Sequence, residues 1–262
     1  MTQSQVSSLS SDTLRTFALR LQEEERSPGT IEKYRRDLSA LALWLEDRPL
    51  TRQTAAGWKE HLLSSGYSPV TVNSMLAALN KFLSFTGAPF RMRYLRIQRR
   101  LFRSDDRELT REDYGRLLTA AHDLNRGRLA LLLETICATG IRVSEVRHLS
   151  VEAAQAGRAD ISLKGKIRTI LLPAKLCRKL LRYARQQGIT TGEIFRTASG
   201  APLSRKQIWA EMKSLCERAG VARSKVFPHN LRHLFARTFY QVSRDVARLA
   251  DILGHSSIET TR

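Results

Sequence analysis

Three short stretches hold side chains whose types and spacing suit chemistry on an anionic oxygen. In the last of them, His229, Arg232 and His233 stand within five residues. Three and four apart, they fall on one face of a helix. Two hydrogen-bonding imidazoles and a fixed guanidinium suit a cluster of anionic oxygens, and an arginine's planar fork matches a phosphate at two points. Earlier, Arg142 and Glu145 follow Thr139-Gly140, three residues apart. Alone, such a pair is a helix-surface ion pair worth roughly a few tenths of a kcal/mol. Between these stretches, Ala159 to Pro173 reads as a strand, a tight Lys164-Gly165 turn and a second strand, with Lys166 and Arg168 just past the tip. A zinc site competes for the histidines, because His229 and His233 have the i,i+4 spacing of a zinc helix. Asn230 stands where His-Glu-x-x-His needs its glutamate, and Arg232 would bring a cation into the site, so no metal is expected.

In this order the stretches resemble the tyrosine site-specific recombinases, the phage integrase and Xer family. The resemblance rests on Thr139-Gly140-Ile141-Arg142-Val143-Ser144-Glu145, on the hairpin Lys164-Gly165-Lys166-Ile167-Arg168, and on His229-Asn230-Leu231-Arg232. Leu253-Gly254-His255 and then Thr260-Thr261-Arg262 complete it. It covers essentially the whole chain and is most specific over 139–145 and 229–261. It implies DNA strand breakage and rejoining without a metal or any other cofactor. Arg142 and Arg232 would hold one phosphate, and His229 and His255 would bond around it. Lys164 would be the general acid to the departing 5′ oxygen. The hairpin is one residue shorter than the family's usual one, which keeps Lys166 as an alternative. Glu145 would orient Arg142 or a neighbouring histidine, and His233 would be a buried hydrogen-bonding support.

The family's nucleophile is a tyrosine that forms a 3′-phosphotyrosyl intermediate. By the family's spacing it would lie two residues past Arg262. The tyrosines present, Tyr34, Tyr67, Tyr94, Tyr114, Tyr183 and Tyr240, all precede Leu253-Gly254-His255, and Tyr240 reads as packing. The expectation is a recombinase chain ending just before its nucleophile, which binds DNA but does not cleave it. The alternative is a natively non-catalytic DNA-binding relative. Truncation is favoured because Ser257 to Thr261 keeps the opening of the nucleophile's helix. The resemblance further implies double-stranded DNA with inverted half-sites, and self-association into a tetramer on two such sites.

The elements that must position these residues are mostly helical, so the expected class is mainly α with a small β-hairpin (α+β). Leu14, Phe17, Ala18 and Leu21 recur at helical spacing, as do Ile31, Tyr34, Leu38, Leu41 and Leu45. A weaker helix near 54–64 and a fourth with Val72, Met75, Leu79, Phe82 and Leu83 complete a small bundle. Thr30, Tyr34, Asp37 and Leu38, with Thr71-Val72-Asn73, resemble the family's core-binding domain, assigned here to 1–88. Residues 89–107 form a basic linker, and 108–262 the catalytic domain. There a helix capped by Thr110 precedes an almost wholly apolar helix from Leu129 to Ala138, ended by Thr139-Gly140. Past the hairpin come a basic amphipathic helix over 173–187, a short strand at 193–195, and one helix from Ser204 to Gly220. The helix of His229 and its successor, closed by Gly254, end the order.

Charge follows the same division. The net charge is +19, of which residues 1–88 carry +1, residues 89–107 carry +5 and residues 108–262 carry +13. Such an excess fits a polyanionic partner. Arg91, Arg93, Arg96, Arg99, Arg100 and Arg103, interleaved with apolar residues, read as a strap across a phosphate backbone, joined by Lys166 and Arg168 from the hairpin. A membrane partner is disfavoured, since no run of about 18 apolar residues occurs and the first residues have no apolar signal core. Cys137, Cys177 and Cys216 form no CxxC pair and read as reduced thiols. The expected location is therefore cytoplasmic, associated with the nucleoid.

Overall fold

The structure, a computed structural model, describes residues 9–98, 107–163 and 166–254, and side chains throughout these except at 162, 163, 166 and 167. It divides into two units, Met1–Leu101 and Phe102–Arg262. Both are helical apart from one two-stranded sheet. Among the described residues, no helix is long and apolar enough to cross a membrane.

The first unit holds α1 (Ser11–Glu23), α2 (Pro28–Leu45), α3 (Arg52–Ser64) and α4 (Pro69–Phe85). Their starts follow from the sequence. Ser10, Thr51 and Ser68 accept amide hydrogens of the first turns of α1, α3 and α4, and Pro28 and Pro69 occupy first-turn positions that need no donor. Phe17, Leu38, Leu41, Trp58, Leu76, Leu79 and Phe82 fill the core, with Phe17 edge-on to Phe82 at 5.4 Å between ring centroids. Asp37 is buried and paired with Lys33, which also donates to the Ser74 carbonyl of α4.

The described part of the expected linker belongs to this unit. Phe90 is buried in its core, and Met92 and Leu95 pack against it. Two asparagines of α4 bind the segment as a neighbouring strand would. Asn80 accepts from the Met92 amide at 2.8 Å and donates to the Met92 carbonyl at 2.9 Å. Asn73 treats Leu95 the same way, at 2.7 and 2.9 Å. Arg91, Arg93 and Arg96 are exposed. Arg99, Arg100 and Arg103 lie outside the described residues.

The second unit is built around α6 (Gly127–Thr139), which α5 (Arg111–Asp123), α8 (Ala174–Gln186) and α11 (Pro228–Ser243) all pack against. Leu129, Ala130, Leu132, Leu133 and Ile136 are buried around its circumference. A helix this apolar must sit among its neighbours, and its Glu134 pairs with Lys179 of α8. Gly140 ends it with φ +62°. A 3-10 turn, Val143–His148, and α7 (Val151–Ala156) lead into β1 (Arg158–Leu163) and β2 (Lys166–Leu171). The strands are antiparallel, with Leu163 opposite Lys166.

Three expectations need correction. Residues 193–195 do not form a strand. Glu193 makes a lone bridge with Ser150, while Ile194 and Phe195 sink into the core. The single helix expected from Ser204 to Gly220 is two, α9 (Arg205–Lys213) and α10 (Cys216–Ala219). At the break the Ser214 hydroxyl donates to the Glu211 carbonyl, and such local bonds compete with a helix's own ladder. Tyr240 is not a packing residue, being exposed on α11 with the Arg244 guanidinium over its ring. The last element, α12 (Val246–Leu253), starts at Asp245, which accepts from the Arg248 amide, and ends at Gly254 with φ +62°.

Candidate active site

Two helix ends make the site. At the end of α6 the chain turns at Gly140 and runs extended through Arg142, whose ψ is 145°. Arg142 is therefore not on a helix beside Glu145, as a plain i,i+3 reading would have it. It caps the 3-10 turn, its amide donating to Glu145 Oε2 at 2.9 Å and its Nη1 donating to Glu145 Oε1 at 2.9 Å. Glu145 is 2% exposed and Arg142 is 38% exposed, so the carboxylate is the buried support and the guanidinium the open face.

At the end of α12, three consecutive carbonyls each receive a different arginine. Ile252 accepts from Arg168 Nη2 at 2.7 Å, Leu253 from Arg232 Nη2 at 2.6 Å, and Gly254 from Arg142 Nη2 at 3.1 Å. Carbonyls at a helix C-terminus lack partners within the helix and carry partial negative charge, which suits cations. Arg232, buried on α11, also donates from Nη1 to the Gly140 carbonyl at the end of α6. Arg168, on β2, places Nη1 3.4 and 3.3 Å from the two oxygens of Glu145. Three guanidiniums thus gather about one carboxylate.

The electrostatics follow from that imbalance. Burial, then Arg142 and Arg168, pull the Arg232 guanidinium down to about 9, and Glu145 opposes them. Burial likewise lowers Arg168, with Glu145 opposing and Arg142 adding to the fall. A site with surplus buried positive charge favours an anion, whose arrival offsets the repulsion.

Arg142, Glu145 and Arg232 are brought together. His229 and His233 meet edge to face on α11, with ring centroids 4.3 Å apart, His229 exposed and His233 half-buried. Arg168 was expected on DNA. It sits instead 12% exposed in the cluster, bound to Glu145 and Ile252. Lys166 opens β2, and its side chain is not described. Lys164 and His255 lie outside the described residues. Sequence reasoning also passed over Asn230, which is buried and donates to the Arg107 and Lys225 carbonyls, anchoring the start of α11. The only signal was its polarity between Pro228 and Leu231 at a helix start.

Comparison with known proteins gives this arrangement its place. The description "Phage integrase family" matches residues 107–262, and "Phage integrase, N-terminal SAM-like domain" matches residues 8–87. Tyrosine recombinase XerA of Pyrococcus furiosus is 31% identical over 265 residues, covering 97% of this chain and 89% of its own. Tyrosine recombinase XerD of Brucella suis is 29% identical over 280 residues, covering 92% and 87%. A lambda integrase tetramer bound to a Holliday junction shares the fold with a TM-score of 0.75 at 18% identity, over 96% of this chain and 76% of that one. XerH bound to its difH substrate does so with 0.70 at 20%, over 100% and 87%. The helical units and the arginine cluster define a DNA-binding recombination enzyme. The chain belongs to the phage integrase family, the tyrosine site-specific recombinases.

Proposed function

We propose that this chain recombines two duplexes at short inverted half-sites, cleaving and rejoining strands through a 3′-phosphotyrosyl intermediate within a tetramer. The observation that carries the reading is the run of carbonyls at 252–254, which holds three arginines from three elements around one carboxylate. Arg142 is the open fork that meets a non-bridging phosphate oxygen, and Arg232 acts from beneath with its buried charge. Fixed cations so held stabilise the charge that develops during displacement at phosphorus without having to reorganise. His229 and His255 bond around the same phosphate, Lys164 or Lys166 protonates the leaving 5′ oxygen, and His233 supports His229 across their ring contact. The metal-free, cofactor-free chemistry follows from this donor set.

The first unit, with exposed Arg91, Arg93 and Arg96, grips the DNA beside the cleavage point. Lambda integrase as a tetramer on a Holliday junction and XerH on difH support that assembly by likeness of fold. The enzyme works in the cytoplasm, on the nucleoid. The 262 residues hold no tyrosine after Gly254.

Selection of bound duplexes from random DNA, followed by footprinting, tests the reading. Two inverted half-sites around a short spacer are expected. A polypeptide extended at its end to carry a tyrosine should then form a covalent adduct on that duplex. Binding without sequence preference, or an extended polypeptide that never forms the adduct, would leave a non-catalytic DNA-binding protein.

A further inference from the structure

We propose that Arg168 is a positioning residue of the phosphate site: it ties strand β2 to Glu145 and to the end of α12, and so fixes the fork of Arg142. The proposal rests on the phosphate-clamp reading above and adds to it a residue and a role.

Three contacts carry it. Arg168 Nη1 faces both oxygens of Glu145, the same carboxylate that holds Arg142 Nη1 at 2.9 Å. Its Nη2 donates to the Ile252 carbonyl at 2.7 Å, two residues before the carbonyl that holds Arg142 Nη2. Its stem lies against Gly254, where an added Cβ would stand 2.5 Å from Arg168 Cδ and 2.9 Å from Nε. One anchor of Arg142, Glu145, is therefore also an anchor of Arg168, and the other lies two residues along the same turn. Removing Arg168 frees the carboxylate to turn and the 252–254 turn to shift, and Arg142 moves with either.

A purely stabilising role accounts for this poorly. Arg168 is 12% exposed and its Nε is buried with no hydrogen-bond partner among the described residues. A buried ionic group with unmet donors is commonly no more stable than an apolar replacement of its size. The placement also has a consequence for the hairpin. Arg168 lies two residues past Lys166 on the same strand, opposite Ile161. Its anchoring sets the register of the strand that leads from the tip, where Lys164 and Lys166 stand in the sequence.

The test uses the 262-residue chain and the duplex obtained by selection, with methylphosphonate replacing one phosphate at a time. In the parent protein, neutralising the phosphate held by the arginines should weaken binding about tenfold or more, the scale of a charge-assisted contact. Arg168→Gln should reduce that one penalty to the level of ordinary backbone phosphates while leaving the other positions unchanged. Arg168→Lys keeps the charge but reaches only one of its two anchors, so it should lose part of the same penalty. If Arg168→Gln fails to fold by circular dichroism, the lysine variant carries the test. Penalties that match the parent at every position, or that weaken uniformly, would overturn the proposal. A parent with no position of outsized penalty would overturn the clamp reading itself, and this proposal with it.

Discussion

Replacing Gly140 by alanine should destabilise the second unit and disturb the site together. Gly140 has φ +62°, and a Cβ there would stand 2.5 Å from Phe235 Cδ1 and 2.9 Å from Leu253 Cδ2. A side chain in the left-handed region costs about 1–2 kcal/mol. Forcing a methyl into a filled core adds about 1–3 kcal/mol. Together the loss is about 2–5 kcal/mol, which in a unit of this size lowers its midpoint by about 5–15 °C. Scanning calorimetry is the assay, because two units can melt separately and only the second should move. The Gly140 carbonyl also accepts from Arg232, and Leu253 supplies the next acceptor. The same variant should therefore bind its selected duplex more weakly even where it is fully folded. A midpoint within about 1 °C of the parent's, for a change whose smallest expected cost is about 2 kcal/mol, would refute the close-contact reasoning.

Other changes probe other links. Glu145→Gln leaves Arg142 and Arg168 facing a neutral amide in a buried position, and urea unfolding should show a loss of about 3–5 kcal/mol. Asn80→Ala removes both bonds to the Met92 backbone. Hydrogen exchange at the Met92 amide should rise while that in α1 and α2 is unaltered, and unchanged protection would deny that Asn80 holds the segment. Asp113 is pushed up by burial, but the Thr110 amide, Arg116 and Lys225 outweigh this and hold it below the usual carboxylate value. Its contribution is therefore complete above the ordinary aspartate range near pH 4 and is lost as pH falls through the depressed value. Asp113→Asn should lower stability at neutral pH and flatten the acid limb of a stability–pH curve; a limb as steep as the parent's would show that other carboxylates govern it.

Much of this was legible in the sequence, for identifiable reasons. The helices of the first unit announce themselves because each begins at a serine, threonine or proline and keeps apolar spacing through its length. Alpha-6 was legible because Leu129 to Ile136 is apolar apart from Glu134 and Thr135. That Arg142, Glu145 and Arg232 meet was legible only through the order of the family's motifs, because residue type alone left Arg142 and Glu145 as a helix-surface pair. What was not legible depends on partners that residue type does not name. Arg168 looked like a surface cation at a hairpin, and only the fold shows that Glu145 and Ile252 wait for it. Asn73 figured only in the Thr71-Val72-Asn73 motif and Asn80 not at all, and their role appears only when the backbone of Met92 and Leu95 runs beside them. The break at Ser214 had no proline or glycine to mark it.

The arginines of the site are held mostly by Gly140, Ile252, Leu253 and Gly254 through main-chain oxygens. An alanine scan would report the three arginines and Glu145 as sensitive without revealing the main-chain oxygens that hold them, because truncating Ile252 or Leu253 leaves its carbonyl in place and Gly140→Ala acts through its added methyl. Nor can these main-chain acceptors be titrated, so their share of the anchoring does not depend on acid. Ester-for-amide substitution, which weakens the carbonyl while keeping the side chain, is the kind of chemistry that would make these partners visible.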